Sequence, residues 1–405
     1  MNKITSKNIF LVACAVWIIG MMWSRFAISL GMILMLVAGL WQGQVREKAK
    51  SFITNKYYVS VLGIFLIYLV TGLYSDNQDY FMQRMRIKLP FLFLPFAFAS
   101  VKNIDKETIK QIMYVFIGVT LTGVIWSLGH FLLDVDVYIE NYSKGQILPT
   151  PMHHIRFSIM VALSIAMCIY LMMGKLRFKE KYFVVPVILF LSIYLHILAV
   201  RSALMTFYVM IICLVFYQLL KNKNTKMMIG IIASTAIAMF LSTQYIPTVK
   251  KKIGYTKYSL ELFKKNENIR ELSDSRRLGS IAAGIQIAKE HPIAGIGYGD
   301  LMDETNTYLK NNYPQLVDLE LLPHNQYVLT LTTAGIIGLI LFLLCTIYPI
   351  FYLQGYKDFL FVTSQLMLFA SFMVEHTIES QIGVSLYIFV ILFCMKNMEV
   401  KSSNA

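Results

Sequence analysis

Arginines, a histidine and two glutamates from residue 201 onward have the chemistry of a site for a charged substrate. Ser273-Asp274-Ser275-Arg276-Arg277 opens a helical stretch that Pro292 stops, and Ser273 or Asp274 suits its N-cap. Leu278, Ile281, Ile285 and Ala288 recur along it at helical spacing, giving an apolar face. Two guanidinium groups in a first turn oppose the helix dipole. That arrangement makes sense where an anion is bound by the helix N-terminus and the arginines together. Arg201 stands between two apolar stretches with almost no connecting chain, a placement that turns a charge toward protein or ligand. The plain alternatives are solvated arginines at 276 and 277 and a snorkelling side chain at 201. His324, in Pro323-His324-Asn325-Gln326-Tyr327, precedes another apolar stretch. There the dipole disfavours imidazolium, and a neutral ring can take a proton. A lone histidine is more often structural. Glu375 and Glu379, four apart in one short turn, can orient a hydroxyl, position an arginine or supply the base in place of His324. Their plain reading is a solvated loop. Ile293-Ala294-Gly295-Ile296-Gly297-Tyr298-Gly299 permits close turns, but no strand precedes it and no Lys-Ser/Thr follows, so it is a poor phosphate loop.

The elements that carry these residues follow from composition. Of 405 residues, 57% are hydrophobic and 15% charged, against about 25% charged in an ordinary soluble protein. The mean hydropathy is +0.59. A water-soluble fold of this size cannot cover its surface with so few polar groups, so the chain reads as an all-α polytopic membrane protein. A spanning helix needs about 20 mostly apolar residues. Twelve stretches qualify: 9–23, 27–41, 57–73, 87–100, 109–133, 155–173, 182–199, 203–220, 227–241, 326–352, 359–374 and 382–396. The first leads straight into the second without a cleavage signature and reads as a retained helix.

Nineteen Lys and Arg fall on the N-terminal side of these spans and seven in the short loops of the other side. The remaining eleven lie in one long loop, where charge bias is not read. Both termini are therefore expected in the cytoplasm. Three regions follow: spans one to nine over 1–241, a large helix-containing extracytoplasmic loop over 242–323, and the last three spans with a cytoplasmic tail over 324–405.

The net charge of +14 is accounted for by this loop bias and does not imply nucleic acid. All five cysteines lie in apolar stretches, so no metal-thiolate site is expected outside the bilayer, and no metal or cofactor site is assigned. Span centres lack Asp, Glu, Lys and Arg; Lys88, Lys110, Arg156, His196 and Arg201 sit within a turn or two of span ends. An ion-coupled transporter normally needs ionisable groups within its spans. The chemistry is therefore expected at the outer face. Asp134-Val135-Asp136 matches a three-residue metal motif but reads as a solvated loop. Tyr74–Arg86 and His153-His154 also face outward without an assigned role.

The order of these features resembles the O-antigen ligase-related superfamily, which includes O-antigen ligases and polysaccharide polymerases. The resemblance rests on Arg201-Ser202, then Asp274-Ser275-Arg276-Arg277 through Pro292-Ile293-Ala294-Gly295-Ile296-Gly297, then His324-Asn325-Gln326-Tyr327-Val328 through Gly335-Ile336-Ile337-Gly338. It implies a GT-C-like helical bundle and metal-free transfer from a polyprenyl (undecaprenyl) diphosphate-linked glycan. The donor diphosphate would be bound by Arg201 and by Arg276 or Arg277, and His324 would be catalytic. It also implies the inner membrane of a bacterium, a site facing the periplasm, and lipid A–core or another glycan or protein hydroxyl as acceptor. One dominant outer loop favours a ligase; a polymerase of the same superfamily is the alternative. A non-enzymatic lipid-linked glycan flippase is a third reading, weakened by the lack of a polar path through the spans.

Overall fold

The protein is described by a computed structural model covering residues 5–41, 43–174 and 178–403; Lys3, Lys175 and Arg177 of the charge count lie outside these. All regular structure among the described residues is helical, as expected for a polytopic membrane protein. Each of the twelve apolar stretches coincides with a helix. Among the described residues, 8 helices are long and apolar enough to cross a membrane by length and composition. The other four stretches lie in helices that are shorter or more charged: Arg25–Leu40, Lys56–Thr71, Gln78–Ser100 and Phe359–Val374.

The chain forms two compact units. The first comprises Met1–Ile112, Ser259–Gly355 and Phe372–Ala405; the second comprises Met113–Tyr258 and Tyr356–Ser371. The first unit is thus assembled from three separated pieces of sequence.

Within the first unit, helix Ser6–Trp23 passes into helix Arg25–Leu40 through Ser24 alone. The Ser24 N–H donates to the Gly20 carbonyl, closing one helix, and its hydroxyl accepts from the Ala27 N–H, opening the next. That one residue can cap both ends because serine oxygen satisfies amides that a helix start leaves without partners. Helix Gln78–Ser100 begins nine residues before the apolar stretch at 87–100, because the Asn77 side chain caps it at the Tyr80 N–H. Lys88 therefore lies in the body of a helix and is fully buried, which corrects its expected place near a span end.

Helix Gln326–Ile347 is broken at Gly335, where φ is 62° and ψ is −168°. The break leaves backbone groups near it without intrahelical partners, and the glycine-rich segment supplies them. Ile296 N–H donates to the Thr332 carbonyl and Gly297 N–H to Thr333, both at 3.0 Å, while Ile336 N–H donates to the Pro292 carbonyl at 2.8 Å. Gly295 and Gly297 hold φ of 70° and 90° in this clasp, a region that favours glycine. The Pro-x-x-Gly-x-Gly motif and Gly335 are two halves of one joint.

Residues on either side of helix Ser273–Glu290 in the sequence share a small core of their own. Ile269, Leu309, Leu316 and Leu321 are buried together, with Phe263 and Tyr313 packed against them. This core seats helix Ser273–Glu290. The second unit contains the tight connection at Arg201, where helix Phe178–Leu198 is separated from helix Arg201–Tyr217 by Ala199 and Val200 alone.

Candidate active site

Helix Ser273–Glu290 presents a face of small residues to its surroundings. Ser275, Gly279, Ser280, Ala283 and Gly284 are buried on it, and a Cβ at Gly284 would stand 2.8 Å from Val328 Cγ1. This corrects the expected apolar face in part: Ala288 is buried and Leu278 and Ile281 are half-buried, but Ile285 is exposed. Close approach to the start of helix Gln326–Ile347 is what selects small side chains. Neither Ser273 nor Asp274 provides the N-cap; that position is Leu272, without a side-chain cap bond.

The close approach brings Ser280 to His324. Ser280 Oγ lies 3.1 Å from His324 Nδ1, accepts from the His324 backbone N–H at 3.3 Å, and donates to the Arg277 carbonyl at 2.8 Å. The ring is thereby fixed from one side by a hydroxyl rooted on the arginine-bearing helix. Arg277 Nη2 reaches Glu375 Oε2 at 3.6 Å. The other carboxylate oxygen, Oε1, lies 3.4 Å from His376 Nδ1. The His324 and His376 rings meet edge to face, with centroids 4.7 Å apart. One ligand atom from each of His324, Glu375 and His376 falls within 4.8 Å of the others. Of the paired arginines, Arg277 is the one in this cluster by an ion pair, and Arg276 is half-buried one residue before it.

His324-Asn325-Gln326 divides its work among three side chains. Asn325 Oδ1 caps the helix, accepting from the N–H groups of Tyr327 at 2.9 Å and Val328 at 3.1 Å. Its Nδ2 donates to the Met373 carbonyl at 2.9 Å, tying the turn of Glu375 to the same helix start. Gln326 Nε2 donates to Glu379 Oε1 at 3.0 Å and to the Tyr68 hydroxyl at 3.1 Å. Its Oε1 accepts from the Ile378 N–H.

Glu379 is the centre of a buried ionic network. Lys88 Nζ lies 2.6 Å from Oε1 and Arg84 Nη2 lies 2.8 Å from Oε2, and the Tyr298 hydroxyl also donates to Oε2. Burial pushes the Glu379 carboxyl up, but Lys88 and Arg84 outweigh it and leave it below the usual glutamate range. Burial and the Glu379 charge hold the Tyr298 phenol well above its ordinary value. Glu379 is therefore committed as an anion to two cations, and Glu375 is the carboxylate that stands beside His324. The glycine-rich segment spends its amides on structure, since Tyr298 N–H donates to Thr71 Oγ1 and Gly299 N–H to Ser75 Oγ.

Arg201 belongs to the second unit, where its side chain is exposed and Nη1 donates to Thr256 Oγ1 at 3.3 Å. Asp134 caps helix Val135–Ser143 by accepting from the Val137 N–H, and Asp136 lies in the first turn of that helix, so the pair opens a helix where a loop was expected. His153 and His154 stack on one another at 4.4 Å.

The sequence assigns no site role to Ser280, His376, Arg84, Lys88 or Tyr298. Ser280 left a usable signal: three residues beyond Arg277 on a helix, it shares that residue's face. The others meet their partners only through folding.

No curated protein matches the chain. Residues 186–343 match the family model described as O-Antigen ligase, a segment that holds Arg201, the paired arginines, Ser280, the Gly335 joint and His324. That match supports glycosyl transfer of the O-antigen ligase or polymerase type, with a lipid-linked glycan donor and a glycan acceptor. It likewise supports, across 186–343, the O-antigen ligase-related superfamily to which the order of these motifs points.

Proposed function

We propose that this protein transfers a glycan from a polyprenyl diphosphate carrier to an acceptor hydroxyl, at the outer face of the membrane, as an O-antigen ligase acting on lipid A–core. The observation that carries the reading is the seating of His324 and Arg277 through one hydroxyl and one carboxylate, Ser280 and Glu375. A base just ahead of helix Gln326–Ile347 and a phosphate-binding cation on helix Ser273–Glu290 then stand together, in positions fixed before substrate arrives.

In this reading the acceptor oxygen attacks the anomeric carbon, forming the new C–O bond as the bond to the diphosphate oxygen breaks. His324 takes the acceptor's proton. Negative charge gathers on the departing diphosphate, and Arg277 stabilises it with a planar fork that matches phosphate oxygens. Displacement from the opposite side inverts the anomeric centre, and no metal is required. Glu375 holds the guanidinium in place and is a positioning residue. For Arg276 and Arg201 a diphosphate-binding role rests on the sequence resemblance alone. The glutamate network at Glu379 fixes the turn that carries Glu375.

The test is the lipid-linked and surface glycan of a deletion strain. Loss of surface chains with long glycans retained on the carrier supports the ligase; single repeats joined to core would assign a polymerase. Loss of surface chains with unpolymerised lipid-linked repeats held on the inner leaflet would assign the flippase.

A further inference from the structure

The cluster of His324, Glu375 and His376 has a property that sugar transfer does not use. Two imidazoles and a carboxylate place one ligand atom each within 4.8 Å of one another. Around a zinc ion the metal–nitrogen and metal–oxygen bonds are about 2.0–2.2 Å, so donors lie about 3.3 Å apart and these three need close by at most about 1.5 Å. The surroundings suit that closure. Glu375 is buried, with a side chain 3% exposed, while His376 and Arg277 are partly open at 16% and 27%. An ion thus has both a route in and a low-dielectric seat. His324 Nδ1 is engaged by Ser280 Oγ, the kind of hydrogen bond that orients the ring of a metal-ligating histidine and leaves Nε2 to ligate.

We infer that His324, Glu375 and His376 form an inhibitory site for a borderline transition-metal ion, Zn²⁺ foremost. Imidazole ligands select zinc, copper and nickel over magnesium and calcium, which prefer all-oxygen sites. Arg277 stands beside the same carboxylate, so the ion competes with a fixed positive charge and binds reversibly. A bound ion occupies the His324 lone pair and draws Glu375 away from Arg277, removing the base and loosening the diphosphate cation together. The binding claim stands on the ligand geometry alone; the inhibition claim rests on the reading of His324 as the base.

The full-length protein, purified without a polyhistidine tag and stripped with EDTA, is titrated with Co²⁺ as a spectroscopic probe and then with Zn²⁺. The expected result is one Co²⁺ per chain with the absorption of a low-coordinate nitrogen and oxygen site. Zn²⁺ should displace it, and Mg²⁺ or Ca²⁺ at the same concentration should not. His376→Gln and Glu375→Gln should each weaken binding tenfold or more, and folded yield by size exclusion shows that the variants are intact. In a transfer assay, half-inhibition of His376→Gln should need at least tenfold more Zn²⁺ than the wild type, each measured against its own metal-free rate. Absence of binding, or binding unchanged in both variants, overturns the site and leaves the proposed function standing. Binding at these residues without inhibition overturns the inhibition and counts against His324 as the base.

Discussion

Arg277 on the loop helix and Glu375 in the turn after Val374 are joined by an ion pair of 3.6 Å between Nη2 and Oε2, across almost a hundred residues of sequence. The pair fixes a guanidinium beside His324 and singles out one of two adjacent arginines.

From that pairing, Arg277→Lys should fail almost as badly as Arg277→Ala, because lysine is a point charge without the planar fork. Loss of one fixed donor to a developing negative charge typically costs about 10²–10³-fold in turnover. Arg276→Ala should lose less than Arg277→Ala. Transfer rates of the purified variants decide this, and full activity in Arg277→Ala would reduce the arginine to a surface charge.

Glu379→Gln leaves Lys88 buried beside a neutral amide. Breaking a buried pair by removing one partner costs about 3–5 kcal/mol, so thermal unfolding in detergent should shift sharply downward, with a smaller shift once Lys88→Met is added. The pH dependence has a definite sign. A carboxyl held below its usual range stabilises the fold fully above about 4.3, the ordinary glutamate value, and the contribution fades as pH falls through the lower folded value. A flat melting profile from neutral pH down through that range would contradict the network's role.

Gly335→Ala should disrupt the joint with the glycine-rich segment. Its φ of 62° is one that side chains rarely adopt, and an added Cβ would meet the Ile293 carbonyl oxygen at 2.1 Å. Strain of this kind costs about 1–3 kcal/mol before the clash is counted. Alanine at Gly118, where nothing lies within 4 Å of the added Cβ, should leave folded yield unchanged. Equal yields for the two variants would mean that the clasp is dispensable.

Much of this was legible in the sequence, for reasons that mark where such reading stops. Apolar stretches locate helices because the bilayer obliges each span to satisfy its own backbone. The order of Arg201, Arg276-Arg277 and His324 along the chain was also legible, because each sits where an apolar stretch or a loop helix begins. Helix starts were not: hydropathy cannot see that Asn77 caps a helix nine residues before its apolar part, and so Lys88 was misplaced. The Lys88–Glu379 and Arg84–Glu379 pairs join residues nearly three hundred positions apart, and no local pattern encodes them. The small-residue face of helix Ser273–Glu290 was misread because Leu and Ile at helical spacing resemble a core face, whereas close helix approach rewards serine, glycine and alanine.

Exhaustive EDTA treatment should leave transfer intact, since diphosphate charge is met by arginine in this mechanism. Loss of activity restored by Mg²⁺ or Mn²⁺ would instead require a divalent ion at the reacting phosphate.

The most direct test of the central claim is transfer by His324→Ala alongside its affinity for the lipid-linked donor. General-base catalysis is typically worth about 10²–10⁴-fold, so turnover should fall by that amount while donor binding stays near that of the wild type. Near-wild-type turnover would remove the base from His324 and pass the candidacy to Glu375, and loss of donor binding would make the imidazole a diphosphate ligand instead.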